Sequence, residues 1–156
     1  MRYFLMLTTL LAASIVQAGS VSPRAGWLVH ETEYAYADLI PKVRSAVKQN
    51  GMFVVTQAGP TGAAKKRGIT IPGNRVIGIY NNDFAVRAIR LSVPAMIEAP
   101  IRLYVTEDEG GTATLSYKMP SHVFAPYFDE GGPELRALAA ELDAIFASIA
   151  TDAIGE

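Results

Sequence analysis

The chain has 156 residues, half of them hydrophobic and 19% charged, and its 14 Lys and Arg stand against 15 Asp and Glu for a formal net charge of −1. That near-neutral, slightly acidic balance argues against a nucleic-acid-binding domain, and the lack of cysteine excludes disulfide staples and lipoprotein anchoring. The length suits a single domain whose core is large enough to fold without covalent help.

The chain opens with Met1-Arg2-Tyr3, runs uncharged from Phe4 to Ile15 and reaches Val16-Gln17-Ala18. This order of a positive start, an apolar stretch and a small-residue cut predicts a cleavable secretory signal over residues 1–18, with Gly19 as the new N-terminus. An apolar run of about 12 residues is shorter than the roughly 20 that a membrane-crossing helix needs. A periplasmic or secreted location is therefore expected, and the absence of any Asn-x-Ser/Thr site fits a bacterial periplasm. Residues 19–156 are expected to form one soluble domain, not inserted in the membrane after cleavage.

Within that domain, Gly26 to Thr32 alternates as a first strand. Tyr36, Leu39, Ile40, Val43 and Val47 recur at helical spacing, with Asp38 in the first turn and Gly51 as the stop. Met52 to Thr56 is rich in strand formers, and Gly59-Pro60-Thr61-Gly62 is a turn before a short helix over Ala63 to Arg67. Arg75 to Tyr80 reads as the third strand, ended by Asn81-Asn82-Asp83. Phe84 to Leu91 reads as a short helix, with Pro94 and Pro100 bracketing a loop. Ile101 to Val105 and Thr112 to Tyr117 flank Asp108-Glu109-Gly110-Gly111, the pattern of a β-hairpin. From Pro133, the residues Leu135, Leu138, Leu142, Ile145 and Ile149 form an amphipathic helical stripe of about four turns that must bury against a sheet. The order β-α-β-α-β-α-β-β-α with a hairpin predicts an α+β fold: a mixed or mainly antiparallel sheet of about five strands with helices packed on one face.

Charge is unevenly spread, with ten Lys and Arg against four Asp and Glu from Gly19 to Arg90, and three against eleven from Leu91 to Glu156. This asymmetry suits an anionic ligand or a complementary surface in an oligomer, unless the two halves interleave and the field cancels. Gly59 to Lys66 follows a strand and opens a helix, but it lacks the Gly-Lys-Ser/Thr ending of a P-loop. His30 and His122 have no second ligand at metal-binding spacing, so no metal and no cofactor is expected. Glu107-Asp108-Glu109 sits on a turn, where acidic residues are readily solvated. Tyr80, Tyr104 and Tyr117 lie in or beside strands near Arg75 and Arg102, placed to line a small-molecule pocket or to complete a core edge.

Three stretches carry a resemblance to a known family: the helix leading into Gly51-Met52-Phe53-Val54; Ala63 to Ile69 with Pro72 after it; and Glu98 to Asp108 leading to Leu115-Ser116-Tyr117. From about Tyr36 to Tyr117, with the C-terminal helix in keeping, the sequence resembles the family called domain of unknown function 302. Members typically have Asp-Leu-Pro before the fourth strand and Gly-Asn-Pro after the third. Here Glu98-Ala99-Pro100 keeps the acid and the proline, whereas Tyr80-Asn81-Asn82 keeps only the Asn. The resemblance implies an often exported α+β domain whose sheet is covered by helices, and it supplies no catalytic residues.

A ligand site is expected where Asn81 and Glu98, in loops, approach Arg102 and Tyr117 on the adjoining strands. The alternative for Glu98 is that it braces its loop through hydrogen bonds. No nucleophile-base-metal constellation stands out, so the leading expectation is a non-catalytic periplasmic domain that binds a small anionic ligand or acts as an accessory protein. The runner-up is a small enzyme acting on an anionic metabolite, with Glu98 as acid or base and Arg102 as charge clamp. A homodimer is compatible with either.

Overall fold

Alternation in the C-terminal hairpin decides which side of the sheet is buried. In β4 (Ile101–Glu107) the buried residues include Ile101, Leu103 and Val105, and in β5 (Thr112–Lys118) they include Ala113, Leu115 and Tyr117. Successive side chains of a strand point to opposite faces, so these six share one face. The structure, a computed structural model, describes residues 21–155; the expected signal peptide over residues 1–18 lies outside the described residues.

The sheet has five strands in the order β1-β5-β4-β3-β2, and every neighbouring pair is antiparallel. β1 (Trp27–Ala35) and β2 (Phe53–Ala58) are the edges, and β3 (Asn74–Tyr80) lies between β2 and β4. Each edge strand carries one irregularity, between Thr32 and Ala35 in β1 and between Val54 and Thr56 in β2. The hairpin turn uses Gly110 and Gly111 at φ of 91° and 89°, and Asp108 secures it by accepting a 2.6 Å hydrogen bond from the Thr114 hydroxyl. Positive φ is accessible to glycine without the Cβ clash that other residues suffer.

Two helices cover the apolar face. Helix α1 (Tyr36–Gln49) buries Leu39, Val43, Ala46 and Val47, and α5 (Phe128–Ile154) buries Leu135, Leu138, Leu142, Phe146 and Ile149. α1 packs on α5 and reaches β4 and β5, while α3 (Asn82–Leu91) rests on α5. The ring of Tyr117, 1% exposed, stacks 6.2 Å from His30 and tilts 5.6 Å from Phe146, which ties β1, β5 and α5 together. A short helix α2 (Thr61–Lys66) follows β2 as expected.

The structure departs from the sequence reading at three places. The stretch between Pro94 and Pro100 is not a plain loop but holds a 3₁₀ turn, Pro94–Glu98. A helix α4 (Pro120–Phe124) and a 3₁₀ turn (Ala125–Tyr127) fill a segment to which periodicity assigned nothing. The last helix begins at Phe128 and breaks at Gly132, whose φ of 63° and ψ of −160° are non-helical, before resuming at Pro133. The residue before a proline is pushed out of the α region, and glycine accepts the resulting conformation, so Pro133 starts the long segment as the first residue of a helix commonly does.

The two charge-biased halves do interleave. β4 and β5, from the acidic half, sit between β1 and β3, and Arg87 of α3 pairs with Glu141 of α5 at 2.7 Å.

Candidate functional site

The sheet face turned away from α1 and α5 is built in rows, and one row concentrates chemistry. Trp27 is registered with Lys118, Arg102 with Gly78, and Gly78 with Thr56. Leu103 faces Tyr117, which sets Arg102 beside Lys118 at the next position. The row therefore reads Trp27, Lys118, Arg102, Gly78, Thr56 across all five strands. Gly78 is small for a reason: a Cβ there would lie 2.9 Å from Pro100 Cγ and would collide with the Thr56 hydroxyl. Its smallness lets the chain bearing Glu98 and Pro100 settle at this end of the sheet.

A cleft of about 490 Å³ lies against this end, lined by Trp27, Arg102, Tyr104, Lys118, Glu98 and Val123 among others. That volume suits a small organic molecule rather than a bare ion. Two cations, Arg102 and Lys118, stand side by side on adjacent strands, an arrangement that is destabilising by itself. Among the described residues neither forms an ion pair; the ion pairs there are Arg87–Glu141 and Arg136–Asp129. Lys118 Nζ lies 5.7 Å from the centre of the Trp27 ring, and the Arg24 guanidinium lies 5.3 Å from it. The indole therefore holds cations over its π-system at the mouth of the cleft.

Glu98 is fixed from the side. Its Oε1 accepts a 2.8 Å hydrogen bond from the Tyr127 hydroxyl, and that bond, with burial adding to it, raises the phenol above its ordinary value. Among the described residues Oε2 of Glu98 accepts no hydrogen bond. Also in the cleft, Asn74 Nδ2 donates to the Tyr104 hydroxyl, and Val76 adds apolar wall. Tyr117 borders the cleft from β5, but its ring packs in the core on the helix-covered face against His30 and Phe146, where its hydroxyl has no hydrogen-bond partner. Burial, with Asp143 nearby as a lesser cause, pushes that phenol up to about 12.

Of the four residues singled out from the sequence, Glu98 and Arg102 line one cleft, while Tyr117 borders it from β5 with its ring on the opposite, helix-covered face of the sheet. Asn81 does not join them. Its side chain caps α3, accepting from the amides of Asp83 at 2.8 Å and Phe84 at 3.4 Å, and donates to the Gly51 carbonyl at 3.0 Å. It borders a separate, mainly apolar crevice among Phe84, Met96, Leu138 and Phe146. The expected bracing of Glu98 by a hydrogen bond is present, and it leaves one carboxylate oxygen toward other partners.

Sequence reading missed Trp27, Lys118 and Asn74. Lys118 had a usable signal, since counting outward from the Asp108 to Gly111 turn places it level with Arg102. Trp27 had none, because its position depends on pairing between the first and last strands of the chain.

The profile of the family described as domain of unknown function DUF302 matches residues 28–151. A crystal structure of an uncharacterized conserved DUF302 protein from Bacillus stearothermophilus superposes with a TM-score of 0.72 at 17% identity, covering 83% of this chain and 98% of the other. At that identity the likeness shows the fold. No protein of curated description matches the chain. The family profile spans β2 to β5 and all of β1 but Trp27, and the chain belongs to the DUF302 family.

Proposed function

We propose that this chain is an exported, non-catalytic domain that binds a small organic anion in the cleft at the Arg102 end of the sheet. The observation that carries the reading is the pair Arg102 and Lys118, two adjacent cations with no carboxylate partner among the described residues, opening onto a cleft of about 490 Å³ with aromatic walls. An anion bridging the two would relieve their repulsion and gain charge-assisted hydrogen bonds, with the planar guanidinium suited to a carboxylate. Export is supported by the charge and hydropathy pattern of residues 1–18.

Trp27 is the only tryptophan in the chain and lines the cleft, so intrinsic fluorescence reports occupancy directly. Native mass spectrometry on protein isolated from its own host compartment should show a small molecule bound and a mass that begins at Gly19. Titration with organic anions should change Trp27 emission, and Arg102→Gln with Lys118→Gln should abolish the change. Titrations that leave the emission flat, together with a bare polypeptide mass, would overturn the binding reading. Turnover that Glu98→Gln removes from a folded protein would overturn its non-catalytic part.

A further inference from the structure

The cleft holds charge of both signs, and the two signs are kept apart. Glu98, Arg102 and Lys118 all line it, yet among the described residues Glu98 forms no ion pair with either cation. Instead Glu98 is held by an uncharged donor, Tyr127, through one oxygen only. Arg102 and Lys118 are exposed and Glu98 is half-buried, so water screens the two signs from one another while the cleft is open. Tyr127 anchors the carboxylate from outside the cation row, so Oε2 and the Arg102–Lys118 pair remain two separate poles of one site.

Between and around these poles the lining is mainly apolar or aromatic, Trp27, Val76, Tyr104 and Val123, with the Asn74 amide already engaged by the Tyr104 hydroxyl. A dianion would place its second charge against Glu98, and a simple cation would meet Arg102 and Lys118. A molecule with a carboxylate at one end, an ammonium group at the other and an apolar body satisfies all three parts of the lining at once. We infer that the ligand class is a small zwitterion with an apolar or aromatic side group, of the kind a free amino acid represents, its carboxylate at Arg102 and Lys118 and its ammonium at Glu98. This deepens the anion-binding reading and rests on it.

The test uses Trp27 emission with three probes that share one body: L-phenylalanine, 3-phenylpropionate, which lacks the ammonium, and phenethylamine, which lacks the carboxylate. The expected result is that L-phenylalanine binds about tenfold or more tighter than either, the gap a charge-assisted hydrogen bond supplies. Glu98→Gln retains an oxygen for Tyr127 and should erase the preference over 3-phenylpropionate while leaving the affinity for 3-phenylpropionate itself in place. A merely structural role for Glu98 would weaken both probes together. Equal binding of L-phenylalanine and 3-phenylpropionate to the parent protein overturns the zwitterion inference and leaves the anion reading standing. Binding of neither overturns the zwitterion inference, and the anion reading falls with it when other organic anions also leave Trp27 emission flat and the isolated protein shows a bare polypeptide mass.

Discussion

The hydroxyl of Tyr127 donates to Oε1 of Glu98 at 2.8 Å, joining the 3₁₀ turn that precedes α5 to the 3₁₀ turn that precedes β4. Because the carboxylate accepts this bond, the phenol keeps its proton to a higher pH than usual. A group whose folded value is raised stabilises the fold below its unfolded value and loses that contribution as pH rises through the folded one. Tyr127→Phe should therefore melt below the parent at pH 7 to 9, and the gap should narrow as pH climbs past about 10, the ordinary value of a phenol. Thermal melts across that range read the effect; a gap that widens with pH would contradict it.

Tyr117 follows the same sign with a different cause. Burial raises its phenol to about 12, and its hydroxyl has no partner in the core. Leaving a buried hydroxyl unsatisfied costs about 1–3 kcal/mol, so Tyr117→Phe should be neutral or stabilising at pH 7. Its advantage should grow between pH 10 and about 12, where the parent is pressed to ionise a buried phenol. Urea titrations at pH 7 and at pH 11 check both halves.

Replacing one of the opposed cations should move stability and binding in opposite directions. Lys118→Glu turns the like-charge pair with Arg102 into an attractive cross-strand pair, worth about 0.2–1 kcal/mol. The melting temperature should rise while the response of Trp27 to organic anions is lost. A variant that loses both would mean that Lys118 serves the sheet rather than a ligand.

Asn81 belongs to the fold. Asn81→Ala removes the cap of α3 and the link to the Gly51 carbonyl, at a cost of about 1 kcal/mol. The Trp27 titration should be unchanged, since Asn81 borders the other crevice.

Local features of this chain were legible in the sequence, and long-range ones were not. The hairpin declared itself through Gly110-Gly111 between two alternating runs, and α1 through Leu39, Val43 and Val47 at helical spacing. α4 escaped because Pro120–Phe124 is too short to show a period, and its helical state is imposed by packing on α5. Glu98 and Arg102 could be grouped because both lie at one connection into the hairpin, whereas strand alternation turns Tyr117 to the helix-covered face with Leu115. Asn81 was grouped with them by its loop position, but cap geometry consumes its side chain, and short polar residues before a helix do this routinely. Trp27 joins the cleft only through the β1–β5 register, which no local pattern encodes.

That same register governs the order in which the molecule can be assembled. Trp27 waits for Lys118, and the Thr32 hydroxyl for the Ala113 carbonyl, while the hairpin and the β3–β4 pair need only nearby segments. Pairings between residues so distant in sequence carry a large loop-closure cost and slow the search for the native state. In a chain made from its N-terminus β1 has no partner until β5 exists, so the seam that seats Trp27 beside Lys118 depends on the longest-range pairing of the sheet. The cleft and the β1–β5 seam therefore depend on the same long-range pairing.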